Sequence, residues 1–308
     1  MRLRVAVPPG FTRPMIRGFA NRLVGRAIRK TLAKLPFDEF ATILLSPREF
    51  FPAGVSGKRI LHITDDWVAG AGMMGLSCAS VSSTLRTNIA AADIVCVVSP
   101  ALADLASVGT ARRRAVVLPN GCAVLALAPA NEERRGAVGL VGQLNERLDF
   151  DVLDALVKSG VDIEVIGPRR EREAAATERL DRFLNANNVT WFGEIPENQV
   201  FAKMQNMAVG ITPYINNEFN RASFPIKTLD YLAAGLPVVS SDLPATRWLN
   251  SEWIEVAETK EKFVEMVRCA LDELPTESDI ASRRAFAGMH TWDARAKAMM
   301  SLIGGIPA

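Results

Sequence analysis

An α/β fold with two facing parallel-sheet lobes is predicted by three observations. Short apolar strand candidates alternate with helical patterns along the chain, which is how βαβ units read in sequence. The length of 308 residues exceeds what one hydrophobic core usually supports. A polar stretch rich in small residues, APANEERRGA at 128–137, interrupts the alternation and reads as a linker.

Taken in order, the first lobe offers strands at LRVAV (3–7), ATILL (41–45), RILHI (59–63), DIVCVV (93–98) and AVVLP (115–119), with helices fitting between most of them. The boundary is expected near Arg135, giving an amino-terminal lobe at 1–134 and a second lobe at 135–308. The second lobe offers AVGLVG (137–142), VDIEVIG (161–167), NVTWFG (188–193), AVGITPY (208–214), PVVSSD (237–242) and WIEVA (253–257). Helical stretches alternate with these strands, the pattern of a complete doubly wound sheet. No short-period repeat or low-complexity tract suggests a solenoid.

Lys and Arg number 36 against 34 Asp and Glu, and a net charge of +2 gives no general field for nucleic acid. Cys78, Cys96, Cys122 and Cys269 are far apart without a CxxC pair, so all four are expected to be reduced packing residues rather than a disulfide framework or zinc site. No apolar run is long enough for a transmembrane helix, and the opening residues lack a signal-peptide core, so a cytoplasmic chain is expected. Its start is strongly basic: Arg2, Arg4, Arg13, Arg17, Arg22, Arg26, Arg29, Lys30 and Lys34 all precede the first acid, Asp38. Within that stretch helical spacing puts Ile16, Phe19, Leu23, Ala27 and Ile28 on one face, opposite Arg22, Arg26 and Arg29. Two readings stay open, a solvated outer face and attraction to the anionic inner surface of a plasma membrane.

In open parallel sheets ligands sit beyond the carboxyl ends of the strands, so the turns after them are the places for a site. GQLNER brings Gly142 for close backbone approach and Arg147 as a cation; FGEIP brings Gly193 and an apolar Ile195. The long polar loop after 208–214 ends at SFPIKTLDYLAAG, where a helix begins beside Lys227. A helix start with a lysine suits a diphosphate, and Asp230 one turn later suits a ribose. The alternative is ordinary helix chemistry, with Ser223 as N-cap, Pro225 in the first turn and Lys227 solvated.

SFPIKTLDYLAAGLPVVSSDLP (223–244) resembles the GT-B glycosyltransferases of family 4 type, particularly those assembling teichuronic acid and exopolysaccharides. The likeness extends to ITDDW (63–67), LPNG (118–121), GLVGQLNERLDFDVL (139–153), VTWFGEIPENQVFAKMQNMAVGITPY (189–214) and HTWDARAKAMMSLI (290–303). The resemblance implies that the second lobe holds a nucleotide-sugar, with Ser223, Pro225, Ile226 and Lys227 on the diphosphate, Asp230 on the ribose, Gly193 and Glu194 at the base and Gly142 in the first turn. It also implies a last helix that crosses back, anchored by Trp292. Ala222 stands where many relatives carry a Glu that holds the donor sugar, Gln143 replaces a usual arginine, and the ribose acid is shortened to Asp230. The first lobe is shorter than in such relatives, so it is expected to be abbreviated or its amino terminus incomplete. Asp65 and Asp66 follow the RILHI strand, where a carboxylate could orient or deprotonate an acceptor hydroxyl; Asp65 is the preferred candidate and Asp66 equally suits a helix N-cap. His62, inside the strand, reads as packed and hydrogen-bonded rather than basic.

Together these imply a glycosyltransferase, retaining and independent of any metal or other cofactor. It would move a sugar from a UDP- or GDP-sugar to a cell-surface polysaccharide or lipid-linked glycan precursor. Alternatives are a non-catalytic nucleotide-sugar-binding subunit, or a nucleotide-sugar 2-epimerase, which the two histidines of the chain disfavour.

Overall fold

A computed structural model describes residues 2–10, 14–37, 40–107, 115–125, 136–273 and 275–304. The chain divides into two units, Met1–Leu118 with Ala298–Ala308 and Pro119–Lys297. The boundary expected near Arg135 lies outside the described residues.

The first unit contains α1 (Pro14–Leu32), β1 (Ala41–Leu44), β2 (Lys58–Ile63), α2 (Cys78–Ala91), β3 (Ile94–Val97), α3 (Pro100–Ser107) and the short β4 (Val116–Val117). Its strands are parallel in the order β1-β2-β3-β4, with Ile43 opposite Ile60 and Ile60 opposite Ile94. LRVAV at 3–7 forms no strand: Leu3 is exposed, two prolines follow, and β1 pairs only with β2. Without a ladder partner its backbone groups gain nothing over water.

The buried face of α1 also differs from the expected one. Phe19 is 56% exposed, while Ala20 and Gly25 are buried and Arg17 turns inward. A Cβ on Gly25 would lie 2.0 Å from the Ala53 carbonyl oxygen, so the helix approaches that loop backbone to backbone. The Arg17 guanidinium stacks 3.6 Å from the Phe50 ring centre and donates to Thr84 Oγ1, which gives the cation a place inside. Arg22, Arg26 and Arg29 are exposed.

The second unit contains β5 (Val138–Val141), α4 (Phe150–Lys158), β6 (Ile163–Ile166), α5 (Ala174–Leu184), β7 (Val189–Trp191), α6 (Glu197–Met204), β8 (Val209–Thr212), α7 (Glu218–Ala222), α8 (Ile226–Ala233), β9 (Val238–Ser241), α9 (Pro244–Leu249), β10 (Ile254–Ala257), α10 (Lys260–Asp272) and α11 (Glu277–Gly288). A final helix, α12 (Trp292–Gly304), begins here, and its residues from Ala298 belong to the first unit. There Met299 packs with Ile60, Cys96 and Leu118.

The sheet of the second unit is parallel throughout, in the order β10-β9-β8-β5-β6-β7. Every residue of β5 and β8 is buried, as expected of central strands covered on both faces, which is why they read as unbroken apolar runs. The core joins Val138, Leu140, Leu153, Leu156, Val165 and Val209 from sheet and helices. The order reverses between β5 and β8, and that reversal opens a crevice at their carboxyl ends.

Two further expectations need correction. Cys96 and Cys122 are buried, but Cys78 and Cys269 are exposed on helices and are not packing residues. Trp292 is 51% exposed and does not anchor α12 by its ring. Its main chain does the fastening: the Trp292 N–H donates to the Cys122 carbonyl at 3.2 Å, and the Cys122 N–H donates to the His290 carbonyl at 2.9 Å. Gly121 is required there, because a Cβ would lie 2.6 Å from the Trp292 nitrogen.

Candidate functional site

Tyr231 places α8 over the switch point. The side chain is fully buried, its oxygen accepts the Val141 N–H at 2.7 Å, and its hydroxyl reaches the Gly139 carbonyl at 3.0 Å and that of Ile211 at 3.3 Å. These bonds tie the helix to β5 and β8 at once. Gly210 makes room, since a Cβ there would lie 2.2 Å from the Tyr231 ring. Neither role was read from sequence, where the only signal was a lone tyrosine among small apolar residues in DYLAAG.

The start of α8 has no side-chain cap. Ser223 is not its N-cap: it closes α7, and its buried hydroxyl donates to the Phe219 carbonyl at 2.9 Å. Pro225 occupies the N-cap position and has no polar side chain to offer, while the Ile226 and Thr228 N–H groups donate to the carbonyls of Phe224 at 3.0 Å and Pro225 at 3.1 Å. Ile226 and Lys227 form the first turn, and the Lys227 stem runs beside Gly142, whose missing Cβ would sit 3.9 Å from Lys227 Cγ. Lys227 Nζ donates to Asp230 Oδ2 at 2.7 Å, with the two side chains 33% and 21% exposed. The hydroxyls of Thr212, at the end of β8, and Thr228, in the first turn of α8, are buried without a hydrogen-bond partner among the described residues.

A row of glycines extends the opening across three strands. Gly142 and Gly167 directly follow β5 and β6, and Gly193 lies two residues beyond β7, with φ of +145°, +141° and +68°. The Gly142 N–H donates to the Ile166 carbonyl at 2.9 Å and the Gly167 N–H to the Gly193 carbonyl at 2.8 Å. A Cβ on Gly167 would lie 1.8 Å from the Gly142 carbonyl oxygen. The strand ends therefore form a floor of bare backbone, a surface that lets a flat or polyanionic ligand approach closely.

The remaining expected residues lie around this floor. Arg147 is built into the scaffold: Nε donates to Asn220 Oδ1 at 2.9 Å, and the guanidinium lies 5.0 and 4.9 Å from the Tyr214 and Phe219 rings. Glu194 is exposed and pairs with Arg170 at 3.4 Å. Glu146, which follows in the same turn as Arg147, accepts the N–H groups of Arg172 and Glu173 and binds the start of α5 to the loop after β5.

In the first unit, Asp65 lies just beyond the carboxyl end of β2 and is partly exposed. Asp66 accepts the N–H groups of Val68 at 3.1 Å and Ala69 at 3.0 Å, the turn-capping role open to it from sequence. His62 Nε2 lies 3.2 Å from the Leu118 carbonyl, which bears out a packed, hydrogen-bonded histidine. Among the described residues no cluster of three or more His, Cys, Asp or Glu is placed to hold a metal ion.

Comparison with known proteins fits this geometry. Residues 136–273 match the family described as glycosyl transferases group 1. Bacillus subtilis TuaH, named for teichuronic acid biosynthesis and as a glycosyltransferase, is 29% identical over 177 residues, 56% of this chain and 44% of that protein. The chain thus spans less than half the length of this curated relative.

Sucrose-phosphate synthase from Thermosynechococcus elongatus superimposes with a TM-score of 0.67 at 14% identity, covering 97% of this chain and 82% of that one. HepE from Anabaena, solved with UDP and glucose, gives 0.59 at 13% identity over 81% and 72% of the two chains. At such identities the likeness is one of fold, the GT-B arrangement of two parallel-sheet lobes. The doubly wound sheet, the glycine turns and the α8 start over the switch point all lie within residues 136–273, the segment of this chain that is similar to the glycosyl transferases group 1 family.

Proposed function

We propose that this chain is a glycosyltransferase that moves a sugar from a UDP- or GDP-sugar to a cell-surface polysaccharide or lipid-linked glycan precursor, with retention at the anomeric carbon. The observation that carries the reading is the Lys227–Asp230 pair at the uncapped start of α8, beside Gly142 at the switch point. The names of TuaH and of the UDP-bound HepE support the same class of donor and product.

In this reading the diphosphate takes Lys227 and lies at the positive end of the α8 dipole, and Asp230, released from Lys227, accepts from the ribose hydroxyls. The base lies toward Gly193 and Glu194, with Ser223, Pro225 and Ile226 shaping the diphosphate loop. In transfer, the bond from the anomeric carbon to the phosphate oxygen breaks and one to the acceptor oxygen forms. The acceptor proton goes to Asp65 or to the departing phosphate. Charge growing on that phosphate is met by Lys227 and the helix start, a form of stabilisation worth several kcal/mol in other enzymes. The chemistry needs no metal or cofactor. The exposed Arg22, Arg26 and Arg29 suit a peripheral position on an anionic membrane, where lipid-linked acceptors reside.

The test is release of UDP or GDP from a panel of nucleotide-sugars, with and without glycan acceptors. Acceptor-dependent release is expected. Lys227→Ala should weaken nucleotide binding by about 1.5–3 kcal/mol, the scale of a charged hydrogen bond. Asp65→Asn should lower turnover by roughly 10² to 10⁴ with donor affinity unchanged. A donor that binds but is never turned over would favour a non-catalytic binding subunit, the reading that Ala222, buried at 1% exposure where relatives carry a Glu, supports. Absence of nucleotide binding would overturn both.

A further inference from the structure

Trp191 ends β7, the edge strand of the second sheet, and is 40% exposed. Its ring is nonetheless fixed, because Nε1 donates to the Gly167 carbonyl at 3.0 Å. The adjacent aromatic, Phe192, is engaged otherwise, with Lys203 Nζ 3.6 Å from its ring centre. Trp191 thus offers an aromatic surface beside the strand-end turns whose orientation is set before any ligand arrives. A ligand that stacks on it orders no further side chain, which lowers the entropic cost of binding.

A run of direct contacts leads from this indole to Lys227. Gly167, which holds Nε1 by its carbonyl, donates its N–H to the Gly193 carbonyl at 2.8 Å. A Cβ on Gly167 would lie 1.8 Å from the Gly142 carbonyl oxygen, and one on Gly142 would lie 3.9 Å from Lys227 Cγ. Arg170 and Glu194, from the turns of Gly167 and Gly193, pair across them at 3.4 Å. In the sheet order β7 is two strands from β5, so at ordinary strand spacing its end lies about 10 Å from the Gly142 turn. That separation matches the reach from the diphosphate of an extended nucleotide to its base.

We propose that the Trp191 indole is the platform on which the nucleobase of the donor stacks. The proposal rests on reading Lys227 and Asp230 as nucleotide residues. Stacking uses the face of the ring and leaves the Nε1 bond to Gly167 intact. Every base has a flat face, so this contact supplies affinity for a nucleobase without choosing between uracil and guanine.

Calorimetry on the full chain tests it with UDP, GDP and inorganic diphosphate as probes, comparing wild type with Trp191→Ala and Trp191→Phe. Trp191→Ala is expected to lose about tenfold in affinity for whichever of UDP and GDP wild type binds, the ordinary scale of base–aromatic stacking. Its affinity for inorganic diphosphate should be unchanged. Trp191→Phe keeps a ring but has no N–H to give Gly167, and should recover most of the nucleotide affinity. The bound nucleotide should also quench tryptophan fluorescence in wild type, and that quenching should be missing from Trp191→Phe. Wild-type nucleotide affinity in Trp191→Ala would overturn the proposal. So would equal losses in the two variants, or a loss for diphosphate as large as for nucleotide, because each marks the Nε1 tether as a scaffold. If Trp191→Ala does not fold, the fluorescence of Trp191→Phe decides: quenching that survives in it, or that wild type never shows on binding, ends the proposal. If wild type binds neither UDP nor GDP, the nucleotide reading itself fails and this inference with it, whereas nucleotide binding indifferent to Trp191 leaves that reading in place.

Discussion

His62 lies on β2 with Nε2 3.2 Å from the Leu118 carbonyl, so the neutral ring carries its proton on Nε2 and donates it there. Burial lowers its pKa, and the Leu118 carbonyl only partly opposes that shift. A depressed folded pKa means that the unfolded chain takes up a proton, near its ordinary pKa of about 6.5, that the folded chain refuses. His62 therefore contributes stability that is complete above about pH 6.5 and is lost as pH falls below it toward the folded pKa. We expect the urea midpoint to fall between pH 7 and 5, and His62→Gln to flatten that slope; an unaltered slope would show that other groups set it. This residue was legible in sequence because an apolar strand leaves a histidine little option but to be packed. Lys227 and Asp230 were legible as a candidate pair from the loop-to-helix pattern. Tyr231 was not, because its role depends on a segment about 90 residues away that only the fold brings near.

The glycine row is a property of strand ends, and its members are not equivalent. Gly167→Ala would set a Cβ 1.8 Å from the Gly142 carbonyl oxygen at a φ of +141°, so either β5 or β6 must move. Gly142→Ala carries similar backbone strain at +145°, but its Cβ meets only Lys227 Cγ at 3.9 Å. Gly167→Ala is therefore expected to destabilise by more than about 2 kcal/mol, and by more than Gly142→Ala, whose cost is the strained φ alone, about 1–3 kcal/mol. Urea unfolding of both variants checks the order, and equal losses would count against close contact of the two turns. The strands of the second unit were legible because burial on both faces writes an apolar run. The 3–7 segment has the same apolar look but no neighbour to pair with. On α1 the outer arginines Arg22, Arg26 and Arg29 are exposed as expected, but Phe19 of the expected apolar face is exposed too, while Arg17 packs against a ring and a hydroxyl that only the fold brings near.

For the molecule as a whole, the formal charge of +2 conceals its distribution, with the basic residues of the opening stretch gathered before Asp38. Arg22, Arg26 and Arg29 are exposed on α1, as is Phe19, which gives that helix an apolar contact among its charges. Sedimentation with anionic vesicles should retain the chain at low salt and release it as salt screens the contact, and conversion of the three arginines to Gln should abolish retention. Equal pelleting with neutral vesicles would return them to a solvated role. At the start of α8 charge is held in reserve, since Lys227 and Asp230 cancel one another. Under the proposed nucleotide reading, a small anion such as orthophosphate could take Lys227 only by stranding Asp230, whereas a nucleoside diphosphate would give each a new partner. A pair closed on itself would then work as a filter, favouring ligands that carry both a phosphate and a sugar hydroxyl.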